Sequence, residues 1–492
     1  MFRKIRQERN IIMIKESSCT TILVGKKASL NGSTLIARNE DGGDRPDPQR
    51  FVVVSPEDQP SSYKTFKGNI TIELPECPGS YTSTPEADVE HNGLFAGSGI
   101  NQWNVAMSAT ETITTNPRVL AVDPYVPGSI VEADMVTLVL PYIHSAKEGV
   151  LRMGELLEEY GTYEANGMAF SDSEEIWYME TYGGHHWAAI RIPDECYVVA
   201  PNRLNIDQFD FESDQVLYCT DLQAFIEENQ LNPDSEGLNL RHTLGSDDYK
   251  DVQYNNPRTW YVQKHFSDLS RPYTEDCPFV DDPAYPDQPF LCYPKRKLSV
   301  EDIKWALSSH YEGTVYDIYG KMGTEEEKHR YRAIGLNRNM EVHCLEIRPQ
   351  LPTGLQGVHW LAFASNAYNC LLPFYSYVKD TPASWRDTPI SYNPNYMYWL
   401  VQTMAVIGDR DYSLYGTLQN EFEKSVMAKL RRMQVEIDQE VKSMTDQEAI
   451  KEKLTVANQT MADFLLQASQ KQLGQLVEVA STKMDLRFNL KD

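Results

Sequence analysis

The chain lacks any apolar run approaching the roughly twenty residues that a membrane-spanning helix needs, so a soluble protein is expected. It has eight cysteines but no Cys-x-x-Cys pair: Cys19, Cys77, Cys196, Cys219, Cys277, Cys292, Cys344 and Cys370 stand far apart. That spacing fits neither a zinc knuckle nor a small disulfide-stapled domain. Reduced core thiols in a cytoplasmic protein are expected, with an exported, disulfide-bonded enzyme as the alternative. Positive charge is also scarce, with 46 Lys and Arg against 71 Asp and Glu and a formal net charge of -25. Both signs are spread along the chain; such a surface repels phosphate backbones and argues against nucleic acid as a partner. Familiar catalytic signatures are missing too. There is no His-Glu-x-x-His and no Walker loop, and Ala96 stands where a Gly-x-Ser-x-Gly elbow around Ser98 needs glycine. No internal repeat or low-complexity tract is present.

An export signal is absent as well. Arg3, Lys4, Arg6 and Arg9 precede only the short patch Ile11 to Ile14, with no cleavage motif of small residues. Residues 1–18 are basic, unlike the rest of the chain, and end in Ser17-Ser18 before Cys19; Met13 is an alternative translation start. Either start leaves a short leader ahead of Cys19.

What is present suffices for a large core: 492 residues, 41% of them hydrophobic, in one big domain or a few smaller ones. From Cys19 to about Pro201 the chain reads as strand-rich. Phe51 to Val54, Thr71 to Leu74, Val105 to Ala109, Ile176 to Met179, Trp187 to Ile192 and Tyr197 to Ala200 are β-branched or aromatic runs bounded by turn formers. One helix interrupts them: Ser145 to Glu148 has a capping-box pattern, Val150, Leu151, Met153, Leu156 and Leu157 repeat at helical spacing, and Gly161 ends it. Strands on both sides of a helical layer predict sheets covered by helices, an α+β or layered α/β architecture. Residues 268–296, rich in Pro and Asp, read as a long surface loop. Ser299 to Leu307 reads as a capped helix, and Val342 to Ile347 and Val358 to Phe363 as strands. From Leu418 to Val479 the chain reads as helical, with Phe422, Val426, Leu430 and Met433 on one core stripe and a second capping box at Thr445 to Glu448. These helices leave room for a homo-oligomer.

Two histidine sites tempt a chemical reading. His185 and His186, adjacent on a strand, should point to opposite faces and so not share an ion; His343 and Cys344 fail as a base and nucleophile pair for the same reason. The stretch from Cys19 to Asp41 offers more. Ile22 and Val24 alternate, Asn31-Gly32 is a strong hairpin turn, and Leu35 to Ala37 leads into Arg38-Asn39-Glu40-Asp41. Folding there returns a cation and carboxylates to the thiol of Cys19.

Cys19 to Ser29, Gly32-Ser33-Thr34 and Ile36 to Asp41 resemble the opening of the dipeptidase A family of N-terminal nucleophile (Ntn) peptidases, peptidase family C69. The similarity continues through Gly161 to Gly167, Glu175-Ile176-Trp177, Gly183 to Trp187, Ala200 to Arg203, Asn256-Pro257-Arg258, Ser308 to Tyr311 and Ser365-Asn366-Ala367, nearly the whole chain after the leader. The resemblance implies a four-layer αββα sandwich with C-terminal helices at about 416–485, a leader 1–18 removed on maturation, and one catalytic domain, 19–492. It also implies metal-independent, cofactor-free hydrolysis of small peptides, dipeptides of broad specificity, through a thioester on Cys19. Matched to the wider superfamily of penicillin V and bile-salt acylases, Arg38 favours the thiolate, Asp41 orients the new amine, the Asn202 amide donates to the oxyanion and Arg258 supports the site. In the acylases the strand after a Gly-x-Asn turn, here ending at Asn101, carries another oxyanion residue; here that strand reads Ala109-Thr110-Glu111-Thr112. Glu111 is thereby expected to meet the free ammonium of a dipeptide, so Asn101 and Glu111 are the expected substrate-binding residues. The alternatives are an N-acyl amide hydrolase using the same machinery, an unprocessed binding protein without catalysis and, more remotely, a metal-dependent dipeptidase.

Overall fold

The computed structural model describes residues 18–43, 45–270, 279–485 and 487, excepting the side chains of Thr110 and Glu111. Met13, Cys277 and the rest of the expected leader before Ser18 lie outside the described residues.

The expected hairpin forms. β1 (Ser18–Val24) and β2 (Thr34–Asp41) pair antiparallel, with Cys19 opposite Glu40 and Thr21 opposite Arg38. Gly32 adopts φ 78° in the connecting turn, a conformation that costs glycine little. Side chains alternate in their targets: Ile22, Val24, Leu35 and Ala37 enter one core and Leu23 and Ile36 another. Every residue of both strands is buried, because the hairpin lies between two cores.

The other strands of the two large sheets, in chain order, are β3 (Ser98–Ile100), β4 (Ala106–Thr112), β5 (Asn166–Ser171), β6 (Ile176–Tyr182), β7 (His186–Ile192), β8 (Tyr197–Pro201), β9 (Val216–Tyr218), β10 (Leu291–Cys292), β11 (Asn339–Ile347), β12 (Gly357–Phe363) and β13 (Leu372–Tyr375). The first sheet runs β10-β8-β1-β2-β11-β12-β13 and the second β9-β7-β6-β5-β4-β3. β4 packs across β1, β2 and β11, which sets the sheets face to face. Outside the second sheet lies α1 (Ala146–Tyr160), packed on β5, β6 and β7. Outside the first lie α2 (Asn256–Phe266) on β8, α3 (Val300–Leu307) on β2 and β11, and α4 (Met397–Gly408), α5 (Tyr412–Val441) and α6 (Gln447–Ser481) toward β12 and β13. The layers are αββα, as expected. Among the described residues no helix is long and apolar enough to cross a membrane.

Three details depart from the sequence reading. Leu291 and Cys292, inside the expected surface loop, form a two-residue edge strand paired with Tyr197 and Val198. The cap of α6 is Asp446, which accepts from the Glu448 and Ala449 amides, one residue beyond the expected Thr445. Helices α2 and α4 gave no periodic signal, for a simple reason: nine of the 11 residues of α2 and eight of the 12 of α4 are buried, so neither has a polar face to alternate with an apolar one.

Candidate active site

Strand parity decides what meets Cys19. Residues 19, 21 and 23 of β1 and 36, 38 and 40 of β2 share the face toward the second sheet, so a long side chain at position 38 reaches diagonally to the thiol. Arg38 Nη1 donates to Cys19 Sγ at 3.1 Å. Its other donors are used as well: Nε to Ser108 Oγ at 3.2 Å, and Nη2 to Glu40 Oε2 at 3.0 Å, Gly97 O at 2.9 Å and Ala109 O at 3.0 Å. Glu132 adds a carboxylate 3.7 Å from Nη1. Burial alone would lower the Arg38 pKa, but Cys19, Glu40, Glu132 and Glu341 hold it above its ordinary value. A guanidinium so fixed favours a thiolate over a thiol. Gly97 is required here, since a Cβ on it would stand 2.1 Å from Glu40 Oε2.

A buried polar chain continues between the sheets. Ser108 Oγ lies 2.8 Å from His343 Nε2, and His343 Nδ1 lies 2.9 Å from Glu341 Oε1. Burial, then the Arg38 charge, pushes His343 well below the usual imidazole value, so the ring is neutral. Neutral His343 donates from Nδ1 to Glu341 and accepts at Nε2 from Ser108, whose oxygen accepts from Arg38. The chain therefore locks the guanidinium in place from behind.

The main-chain side of Cys19 is held by two other elements. Cys19 N donates to Asn202 Oδ1 at 3.2 Å. Arg258, in the first turn of α2, donates through Nη2 to the same oxygen at 2.8 Å and to Asn255 Oδ1 at 2.6 Å, and through Nη1 to Cys19 O and to Thr20 Oγ1. Two donors on Oδ1 fix the orientation of the Asn202 amide, so its nitrogen faces Thr112 O at 2.9 Å with one hydrogen left over. Glu180 anchors the segment after Asn202 by accepting from the Asn205 and Ile206 amides.

Burial raises Glu180 to about 7, against an ordinary value of 4.5, despite those two amide hydrogen bonds and Arg241. The folded protein then keeps a proton that the unfolded chain gives up, so stability present below about pH 4.5 is lost as pH rises through 7. Glu180→Gln is expected to lose less melting temperature between pH 5 and pH 8 than the native chain does; equal losses in the two proteins would refute this.

The structure brings Cys19, Arg38, Asn202 and Arg258 together, but it separates two other expected residues from the sulfur. Asp41 lies on the opposite face of the hairpin, paired with Arg332 beside Ser18. Asn101 donates to Leu140 O and Ile143 O and accepts from the Trp103 and Val105 amides, so its side chain closes a turn rather than facing a substrate. The Glu111 side chain lies outside the described residues; its backbone follows a bulge in β4 opposite Gly167. Glu40 is one of the carboxylates that the hairpin is expected to return to the thiol, and its two-residue spacing from Arg38 puts both on one face; sequence reasoning misses Gly97 and Ser108, and it weighs His343 only as a base for Cys344. His185 and His186 take polar roles, although they meet on one carboxylate rather than pointing apart. They sit at the mouth of β7 after the positive-φ turn at Gly183, and their Nδ1 atoms lie 2.9 and 2.7 Å from one carboxylate, Asp123. His186 also shares a group with Cys219 and Asp221 whose ligand atoms are within 4.8 Å of one another, at the β9-β7 edge of the other sheet from Cys19.

The fold is an αββα sandwich with a guanidinium-held thiol at the start of a central strand, the layering that the family resemblance implies. The model of Peptidase family C69 matches residues 18–425. The chain belongs to that family. It is 51% identical over 482 residues to "Probable dipeptidase B" of Lactococcus lactis subsp. lactis (strain IL1403), covering 97% of this chain and 99% of that one. It is 50% identical over 486 residues to "Dipeptidase A" of Lactobacillus helveticus, covering 97% and 100%. A crystal structure of a mutant conjugated bile acid hydrolase from Clostridium perfringens matches with a TM-score of 0.25 and 10% identity, over 70% of this chain and 89% of that one.

Proposed function

We propose that the protein is a cysteine dipeptidase whose nucleophile is Cys19 Sγ and whose general base is the α-amino group that Cys19 acquires when residues 1–18 are removed. The observation that carries this is the Arg38 guanidinium on Cys19 Sγ in a chain of family C69. An α-amine near pKa 7.7–8.0 and a thiol near about 8.5 exchange a proton with almost no free-energy difference at neutral pH. The sulfur attacks the peptide carbonyl and the amine protonates the departing amino acid. Water, giving its proton to the same amine, then splits the thioester to release the second amino acid. The spare hydrogen of Asn202 Nδ2 is suited to the developing oxyanion, and Arg258 holds that amide in register. Asp41, opposite Ser18 in the ladder, would balance the charge of the new ammonium. Cys344 and Cys370 are buried free thiols, pushed up by that burial, and support a reducing, cytoplasmic setting.

Intact mass and N-terminal sequencing, paired with release of free amino acids from a panel of dipeptides, test the proposal. A chain beginning at Cys19 that cleaves free dipeptides but not their N-acetyl forms is the expected result. Cleavage of the N-acetyl forms alone would make the protein an amidase. An active chain that retains its leader would remove the amine as base, and an inactive one would turn the reading to a binding protein.

A further inference from the structure

The residue ahead of the nucleophile is held in an unusual way. Ser18 Oγ accepts from Arg332 Nη2 at 2.9 Å and from Arg338 Nη2 at 3.1 Å. The same Arg338 nitrogen donates to Tyr254 Oη at 3.1 Å. The guanidiniums of Arg258 and Arg332 lie 5.1 and 5.2 Å from the centre of the Tyr254 ring. Three guanidiniums thus meet beside one carboxylate, Asp41, which pairs with Arg332. The Arg332 side chain is only 7% exposed, and its Nε has no acceptor among the described residues. Two cations on one neutral hydroxyl is a poor electrostatic match, and removing Ser18 would leave both of those hydrogen bonds unmade.

The chemistry of cleavage says what should take that place. For the Cys19 amine to protonate the leaving nitrogen, that nitrogen must lie within hydrogen-bond reach of it. The C-terminal residue of the substrate therefore extends away from the amine on the side where Ser18 stands. In a dipeptide its carboxylate carbon is only about 2.5 Å from that nitrogen, two bonds on. A carboxylate offers two oxygens to two guanidiniums where serine offers one.

We propose that Arg332 and Arg338, with the Tyr254 hydroxyl, form a binding site for the C-terminal α-carboxylate of the substrate, occupied by the Ser18 hydroxyl until residues 1–18 leave. This rests on the dipeptidase reading and adds a limit on substrate length: a third residue would put a neutral peptide group against both guanidiniums, where Asp41 is the carboxylate that faces Arg332, Arg338 and Arg258.

The test compares leucyl-leucine with leucyl-leucinamide on the full chain whose N-terminus is verified as Cys19. The native enzyme is expected to prefer the free acid by about 100-fold or more in kcat/KM, because a site built for a charged acceptor discriminates strongly against its absence. Arg338→Gln should lower kcat/KM on the acid by about 100-fold, chiefly through KM, and should not lower it on the amide, so the acid preference collapses. Arg338→Lys, which keeps the charge and loses the fork, should fall between and covers a folding failure of the first variant. Equal rates of the native enzyme on acid and amide, or equal losses on both in the variants, would overturn the proposal. If the native chain cleaves neither compound, the dipeptidase reading fails separately. Calorimetric titration of that chain with leucine and with leucinamide then decides: preference for leucine keeps the carboxylate site, and equal or absent binding overturns it.

Discussion

Cys19→Ala is expected to lower dipeptide hydrolysis by at least roughly 10⁴-fold while leaving the melting temperature within a few degrees of the native value. Only a sulfur is removed, and the Arg38 guanidinium keeps its contacts to Ser108, Glu40, Gly97 and Ala109. Nucleophile deletions of this kind leave whatever acceleration binding and oxyanion stabilisation still supply. The same variant should retain residues 1–18 by mass if removal of the leader is self-catalysed, and lose them if another protease acts. Dipeptide turnover close to the native rate in Cys19→Ala would end the assignment of the nucleophile.

Arg38→Met should damage both stability and activity, and the two effects can be pulled apart. The substitution removes the Arg38 guanidinium from buried Glu40 and takes one donor from Gly97 O and from Ala109 O, a loss of roughly 3–5 kcal/mol for a buried pair broken on one side. Adding Glu40→Gln removes the charge that Arg38 balanced, so the double variant should recover part of the lost stability in urea denaturation. Hydrolysis should not recover, because the Arg38 guanidinium no longer faces Cys19 Sγ. A double variant that regains both would show that Arg38 serves the fold alone.

Much of this site could be read in the sequence because it rests on local rules. The Asn31-Gly32 turn sets the register, and the register carries residue 38 to the thiol. Its carboxylate neighbours follow from parity: Glu40 shares that face and Asp41 lies on the other. The cluster around Ser18 could not be read in this way. Tyr254 precedes a helix with no polar face, while Arg332 and Arg338 lie in an irregular segment before β11, some three hundred residues along the chain from Ser18. Nothing periodic marks them, and only the closure of the first sheet brings them to the start of β1. The same holds for His343, whose place in the polar chain depends on β4 crossing from the second sheet.

The register of β1 also has a mechanical meaning. Chain ends are ordinarily the loosest part of a domain, frayed unless something ties them down. A chain beginning at Cys19 gives up a single rung, Ser18 to Asp41, and keeps the six from Cys19 to Val24 with β2, besides five with β8 on its other edge. Its first residue is then sewn into the middle of a seven-stranded sheet. An amine at that point is aimed by the Cys19 rung to Glu40, with a second ladder beginning at Thr20, before any substrate arrives, and it pays little entropy to act.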